Sequence, residues 1–94
     1  MRAALLVEFN EPFVVEEIDY HDPAPGRVLL RTGASPFCST DIVNWRGLLG
    51  KVPPTVLGHA SMGEVLAVGE GVTHIKPGQR AIVPGTSECG ICFY

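Results

Sequence analysis

The chain has 94 residues, of which 46% are hydrophobic, and this predicts one small globular domain with a modest core rather than a disordered segment. The net charge is −3 and the seven Lys and Arg residues are scattered, which argues against nucleic-acid binding because that function needs a basic surface. No apolar run approaches the roughly 20 residues that span a bilayer, so no membrane segment is predicted.

The pattern of short apolar runs predicts a mainly β fold. Eleven Gly and eight Pro residues separate these runs, as in strands joined by turns. The opening MRAALLVEF is interrupted by Glu8 and is too short for a signal peptide, so we read it as a strand and expect a cytoplasmic protein. In chain order, we predict a hairpin of strands 3–9 and 13–20, a strand at 27–35, an extended segment at 51–59, and strands at 63–72 and 79–85.

The third predicted strand alternates in character, which places Val28, Leu30 and Thr32 on one face and the residues between them on the other. One short helix is predicted after it, over residues 39–49. We expect Ser39 or Thr40 to be its N-cap. The predicted fold is therefore a small, mainly β barrel or sandwich with one short helix.

Cys38 and His59, 21 positions apart, are the first candidates for chemistry. A thiolate and an imidazole are good zinc ligands, but these two residues alone favour a small buried cysteine and a hydrogen-bonded loop histidine over a metal site. Gly58 would let the backbone turn before His59, and Gly63 and Gly69 would allow close approach or bulges in the next strands.

The other two cysteines, Cys89 and Cys92, form a Cys-x-x-Cys pair. Without an export signal, this pair indicates metal or redox chemistry in a reducing compartment rather than a disulfide framework.

Several motifs occur together in one order along the chain. They are the opening MRAALL, Cys-x-Thr-Asp at 38–41, Gly-His followed by spaced glycines from 58, Pro-Gly-Gln-Arg-Ala at 77–81 and Cys-Gly-x-Cys at 89–92. Through these motifs the sequence resembles the N-terminal, GroES-like catalytic domain of the zinc-dependent medium-chain alcohol dehydrogenases, over residues 1–94. The resemblance implies a partly open β-barrel and oxidation of an alcohol to an aldehyde or ketone by hydride transfer to NAD or NADP.

The resemblance also implies two zinc sites. Cys38 and His59 match ligands of a catalytic Zn²⁺. Cys89 and Cys92 match the first two of four thiolates that hold a structural Zn²⁺.

Three residues at the start of the predicted helix match catalytic and cofactor positions of the family. Thr40 matches the hydroxyl that passes on the proton of the alcohol, and Asp41 matches the acid that orients the ligand histidine. Ser39, together with Thr40, lies where the family approaches the cofactor. The implied partner is a small alcohol or carbonyl substrate, without nucleic acid or membrane, and the full-length form is expected to be a homo-oligomer.

The sequence departs from the family pattern at two positions in or beside these motifs. Ala60 stands where the family usually has Glu, and Val43 stands where many members have a histidine that extends the proton relay. The nucleotide-binding domain, the remaining catalytic ligand and the last two structural cysteines are not among the 94 residues. We therefore expect the chain alone to be inactive.

Three other functions are compatible with parts of the sequence. A stand-alone zinc-binding or interaction module on the same fold, without enzyme activity, would be consistent with Ala60. A ring subunit of a co-chaperonin would share the fold but would not need the cysteines. A redox protein using Cys89 and Cys92 would normally place such a pair at a helix start in a βαβ unit, and here it follows a strand and a turn.

Overall fold

The computed structural model describes residues 1–86 and 91–92. In that part of the chain the elements are β1 (Arg2–Leu6), β2 (Val14–Glu17), β3 (Val28–Ala34), α1 (Ser39–Trp45), β4 (Thr55–Val56), β5 (Ser61–Val68) and β6 (Arg80–Val83). The strands form two three-stranded sheets, in the orders β2–β1–β4 and β3–β5–β6. Because the two sheets do not close on one another, the described fold is a partly open, mainly β arrangement with one short helix, as predicted.

The first sheet contains the predicted hairpin. β1 and β2 run antiparallel, with Arg2 opposite Glu17, and β4 pairs with the far end of β1. The core of the described residues is small: Leu6 of β1 and Val65 of β5 are its fully buried large side chains. No helix in the described ranges is both long and apolar enough to cross a bilayer.

The second sheet interrupts the alternation predicted for the third strand. The register between β3 and β5 shifts between Leu29 and Leu30, and again between Thr32 and Ala34. A bulge of this kind adds a residue to one strand and changes which way the following side chains point. Strict alternation along β3 is therefore wrong, and Leu29 and Leu30 are both half-buried.

Two glycines allow the close backbone approach that the sequence predicted. A Cβ atom at Gly63 would overlap the backbone carbonyl of Arg31 in β3, and one at Gly69 would overlap the carbonyl of Ala24. Glycine is therefore required at both positions by the space available, and at Gly63 this closeness is part of the β3–β5 pairing.

We expect Gly63→Ala to lower the free energy of unfolding by about 1–3 kcal/mol, because the added methyl group forces the two strands apart. Gly33→Ala is the matched control, since a Cβ there would lie 3.6 Å from the carbonyl oxygen of Met62, an ordinary contact. Its expected change is within about 0.5 kcal/mol. Urea unfolding of both variants measures the difference, and equal destabilisation would contradict this account of Gly63.

The N-cap of helix α1 lies before the two residues that the sequence predicted for it. The N-cap is Cys38, whose backbone is extended (φ −126°, ψ 152°), so the expectation of Ser39 or Thr40 as N-cap is wrong. The reason is Asp41, whose carboxylate Oδ2 accepts the backbone N–H of Cys38 at 2.9 Å. The helix also ends earlier than expected, because Gly47 follows it with φ 78°, a conformation that stops a helix.

Candidate functional site

The structure brings together four of the predicted site residues from two distant segments. Cys38, Thr40 and Asp41 lie at the junction of β3 and α1, and His59 lies on the loop between β4 and β5. The Cys38 Sγ and Thr40 Oγ1 atoms are 3.5 Å apart. Nδ1 of His59 is 3.3 Å from Oδ1 of Asp41, whose other oxygen, Oδ2, accepts the backbone N–H of Cys38 at 2.9 Å.

The position of His59 depends on the glycine before it. Gly58 has φ 113°, in a region that residues with a side chain rarely adopt, so the backbone turns here before β5 begins at Ser61. The backbone of Gly85 also lies close to the imidazole ring of His59, since a Cβ atom added at Gly85 would lie 3.1 Å from Cδ2 of the ring. The turn that the sequence predicted at Gly58 is thus present, and the imidazole is confined between neighbouring segments.

The surroundings of Cys38 favour its thiolate form. Hydrogen bonds lower the pKa of the Cys38 thiol to about 7, with the largest effect from the Thr40 hydroxyl, followed by the Thr40 backbone N–H and the His59 imidazole. A hydroxyl can accept from a thiol and donate to a thiolate, so the 3.5 Å contact with Thr40 persists in both states. Cys38 is a free thiol, and it is partly buried.

The surroundings of His59 favour its protonated form. The hydrogen bond with Cys38 and the negative charge of Asp41 raise the pKa of the imidazole, against an opposing effect of burial. Oδ1 of Asp41 and Nδ1 of His59 are both shielded from solvent and have no aligned hydrogen bond among the described residues. At 3.3 Å they are within ion-pair distance of each other, so the carboxylate faces the imidazole without competition from water.

Thr40→Val should raise the pKa of Cys38, because the thiolate loses the hydrogen bond that stabilises it most. In metal-free protein, the pH at which alkylation of Cys38 is half-maximal should move upward from about 7 towards the ordinary cysteine value of about 8.5. Iodoacetamide rates across this pH range, followed by mass spectrometry of the Cys38 peptide, measure the shift. Ser39→Ala is the matched control, since Ser39 has the weakest of these effects on Cys38. An unchanged midpoint in Thr40→Val would contradict the role of the Thr40 hydroxyl in lowering the pKa of Cys38.

The chemistry of the donor set fits a zinc ion, although the described residues supply only part of a site. Sulfur and imidazole nitrogen are the ligands that Zn²⁺ prefers. Because Nδ1 of His59 faces Asp41, its Nε2 is the nitrogen available to a metal. No group of three or more His, Cys, Asp or Glu side chains able to hold a metal occurs within residues 1–86 and 91–92. A complete site needs at least one further ligand.

The remaining predicted residues are Ser39, Cys89 and Cys92. Ser39 is the first residue of α1 and is exposed. Cys92 is exposed as well, and Cys89 lies outside the described residues. The predicted structural zinc pair therefore stays a prediction.

A cleft of about 540 Å³ opens beside His59. Its lining includes Thr32, Ser35, Leu57, Val83 and Thr86. The hydroxyl of Ser35 donates to the carbonyl oxygen of Ala60 at 2.8 Å. Sequence reasoning missed Ser35, because its partner is 25 residues away and a serine after a strand has no distinctive pattern.

The comparisons with known proteins agree on one family. Residues 24–94 match the alcohol dehydrogenase GroES-like domain. Alcohol dehydrogenase 1 of Pisum sativum is 42% identical over 93 residues, which are 97% of this chain and 24% of the relative. S-(hydroxymethyl)glutathione dehydrogenase of Haemophilus influenzae is 44% identical over 94 residues, 99% of this chain and 25% of the relative. The chain thus spans about a quarter of the length of these relatives.

Solved structures give the same fold. The crystal structure of AibC superposes with a TM-score of 0.94 at 36% identity, covering 99% of this chain and 27% of the other. A protein described as a candidate zinc-binding dehydrogenase from Sinorhizobium meliloti, bound to NADP, superposes with a TM-score of 0.76 at 30% identity, covering 84% and 23%. The GroES-like fold expected from the sequence is confirmed.

Proposed function

Because the chain belongs to the alcohol dehydrogenase GroES-like domain family, we propose that residues 1–94 form the N-terminal part of a zinc-dependent alcohol dehydrogenase. The reaction is oxidation of an alcohol to an aldehyde or ketone, or the reverse, with NAD or NADP. The observation that carries the proposal is that Asp41 contacts both Cys38 and His59, which are 21 positions apart in the chain. Its Oδ2 accepts the Cys38 N–H at 2.9 Å, and its Oδ1 lies 3.3 Å from Nδ1 of His59.

Cys38 and His59 are the proposed protein ligands of the catalytic zinc. A thiolate must be deprotonated to bind metal, and a pKa of about 7 for Cys38 makes this easier near neutral pH. A bound Zn²⁺ supplies Lewis acidity, which lowers the pKa of an alcohol or polarises a carbonyl. We propose that the remaining ligand comes from a part of the enzyme other than these residues.

Thr40 is the proposed proton carrier. Its Oγ1 lies 3.5 Å from the Cys38 sulfur, so a hydroxyl stands directly beside the proposed ligand. A hydroxyl both accepts and donates, which lets it take a proton from the alcohol and pass it on. The side chain of Val43 has no donor or acceptor and cannot continue such a relay, so the proton would leave Thr40 by another route. Ser39 and Thr40 are also the proposed cofactor contacts of this segment.

We propose that Asp41 orients His59 as a metal ligand. Its Oδ1 faces Nδ1 of His59 at 3.3 Å. A carboxylate in that place fixes the ring orientation and makes the imidazole a stronger ligand.

The rest of the enzyme is proposed from the family. Cys89 and Cys92 would hold a structural zinc with two further thiolates, and a separate domain would bind the nucleotide. The shares of 24% and 25% of the relatives' lengths are consistent with this division. We further propose a homo-oligomer in the cytoplasm, where cysteine ligands stay reduced.

The test is made on the protein isolated from its native source, with intact mass measured first. We then expect alcohol-dependent reduction of NAD⁺ or NADP⁺ that a zinc chelator abolishes and added Zn²⁺ restores. A mass of 10.1 kDa with bound zinc and no activity would instead support the stand-alone zinc-binding module, for which Ala60 is the favouring observation. Activity that no chelator affects would contradict the zinc-dependent mechanism.

A further inference from the structure

Asp41 and Ser35, on either side of Cys38 in the chain, make side-chain contacts with different parts of the His59 loop. The first is the contact of Asp41 with the imidazole ring. The second reaches the backbone: Ser35 Oγ donates to the carbonyl oxygen of Ala60 at 2.8 Å. Asp41 thus contacts the ring of His59, whereas Ser35 contacts the backbone beside it.

Ser35 lies where it can hold the His59 backbone relative to Cys38. It follows the end of β3 at Ala34, three residues before Cys38, and its acceptor belongs to the residue directly after His59. On the other side of His59, a Cβ at Gly58 would lie 3.7 Å from the same Oγ atom. The serine hydroxyl therefore lies against both neighbours of the histidine.

The His59 loop needs such a contact because of its composition. Gly58 is in a positive-φ conformation, and a glycine loses more freedom on ordering than any other residue. Ala60 has only a methyl group and cannot anchor the loop through a polar side chain. The carbonyl of Ala60 is a backbone group through which the side chain of Ser35 can fix this segment.

We propose that Ser35 is a positioning residue, which holds the His59 backbone at a set distance from Cys38 through the Ala60 carbonyl. Its consequence for metal binding rests on the proposed function, whereas the ordering of the loop does not. Metal sites tolerate errors of only about 0.2 Å in ligand distance, so a loosened loop should weaken binding.

The experiment compares Ser35→Ala, Ser35→Thr and Thr32→Val in the full chain. Ser35→Thr keeps the hydroxyl, and Thr32→Val is the matched control, because it removes another hydroxyl from the lining of the same cleft. In metal-free protein, backbone ¹⁵N order parameters at His59 and Ala60 should fall from about 0.85 to below about 0.6 in Ser35→Ala alone. The affinity for Co²⁺ should fall about tenfold in Ser35→Ala and recover in Ser35→Thr.

The two readouts separate the inference from the proposed function. Order parameters in Ser35→Ala that equal those of Thr32→Val would overturn the role of Ser35, whatever the metal does. If the unsubstituted chain binds no Co²⁺, the proposed metal site fails, and the order parameters still decide the role of Ser35. Urea unfolding of each variant shows whether Ser35→Ala lowers the stability of the whole domain. If it does, Ser35→Thr decides: order parameters at His59 and Ala60 that stay low with the hydroxyl restored would overturn the role of Ser35.

Discussion

His59→Ala is expected to weaken Co²⁺ binding by more than about 100-fold. Even the loss of a residue that only hydrogen-bonds to a metal ligand lowers metal affinity about 10–100-fold. The reason is that the imidazole is one of the two proposed ligands, which Asp41 contacts together. The measurement is a Co²⁺ titration in a Cys89→Ser, Cys92→Ser background, which removes the thiolates of the second proposed site.

The matched control for His59→Ala is His74→Ala. His74 is an exposed histidine that follows β5, so it tests for the loss of any histidine from the surface. We expect its Co²⁺ affinity to equal that of the unsubstituted background. Equal weakening by the two substitutions would mean that Co²⁺ binds histidines non-specifically, and the site at Cys38 and His59 would have no support.

Asp41 substitutions should separate metal affinity from stability. Asp41→Ala removes both the acceptor of the Cys38 N–H at 2.9 Å and the carboxylate beside His59. We expect Co²⁺ affinity to fall about 10–100-fold. The free energy of unfolding should fall by about 1 kcal/mol, since the first turn of α1 loses a hydrogen bond to its N-cap residue.

Asp41→Asn is the variant that distinguishes these two effects. Its amide oxygen can still accept the Cys38 N–H, so urea unfolding should show most of the stability restored. Its neutral amide cannot supply the negative charge that faces His59, so Co²⁺ affinity should stay low. Recovery of both properties together would show that Asp41 acts only by supporting the helix.

Three of the candidate site residues are close together in the chain, so the sequence alone places them near one another. Cys38, Thr40 and Asp41 follow a strand and begin a helix, so their proximity needs no long-range information. The predicted N-cap was wrong because the sequence pattern favours Ser or Thr at that position. Here the carboxylate of Asp41 takes the N–H of Cys38 and makes a cysteine the N-cap.

Long-range features were predictable only where a residue type restricts the backbone. Gly58 and Gly63 indicated a turn and a close approach, and both are present. The bulges in β3 depend on its pairing with β5, and apolar alternation contains no information about register. Ser35 was missed for a similar reason, since its partner becomes a neighbour only when the chain folds. The pairing of Cys38 with His59 came from resemblance to a family, not from spacing.

The most direct test of the metal site is the absorption spectrum of the chain with Co²⁺, again with Cys89 and Cys92 replaced by serine. In that background Cys38 is the only cysteine left in the sequence. We predict a near-ultraviolet thiolate-to-Co²⁺ charge-transfer band that Cys38→Ser abolishes and Zn²⁺ displaces. A folded chain that shows no such band at saturating Co²⁺, with circular dichroism unchanged, would contradict the assignment of Cys38 and His59 as metal ligands.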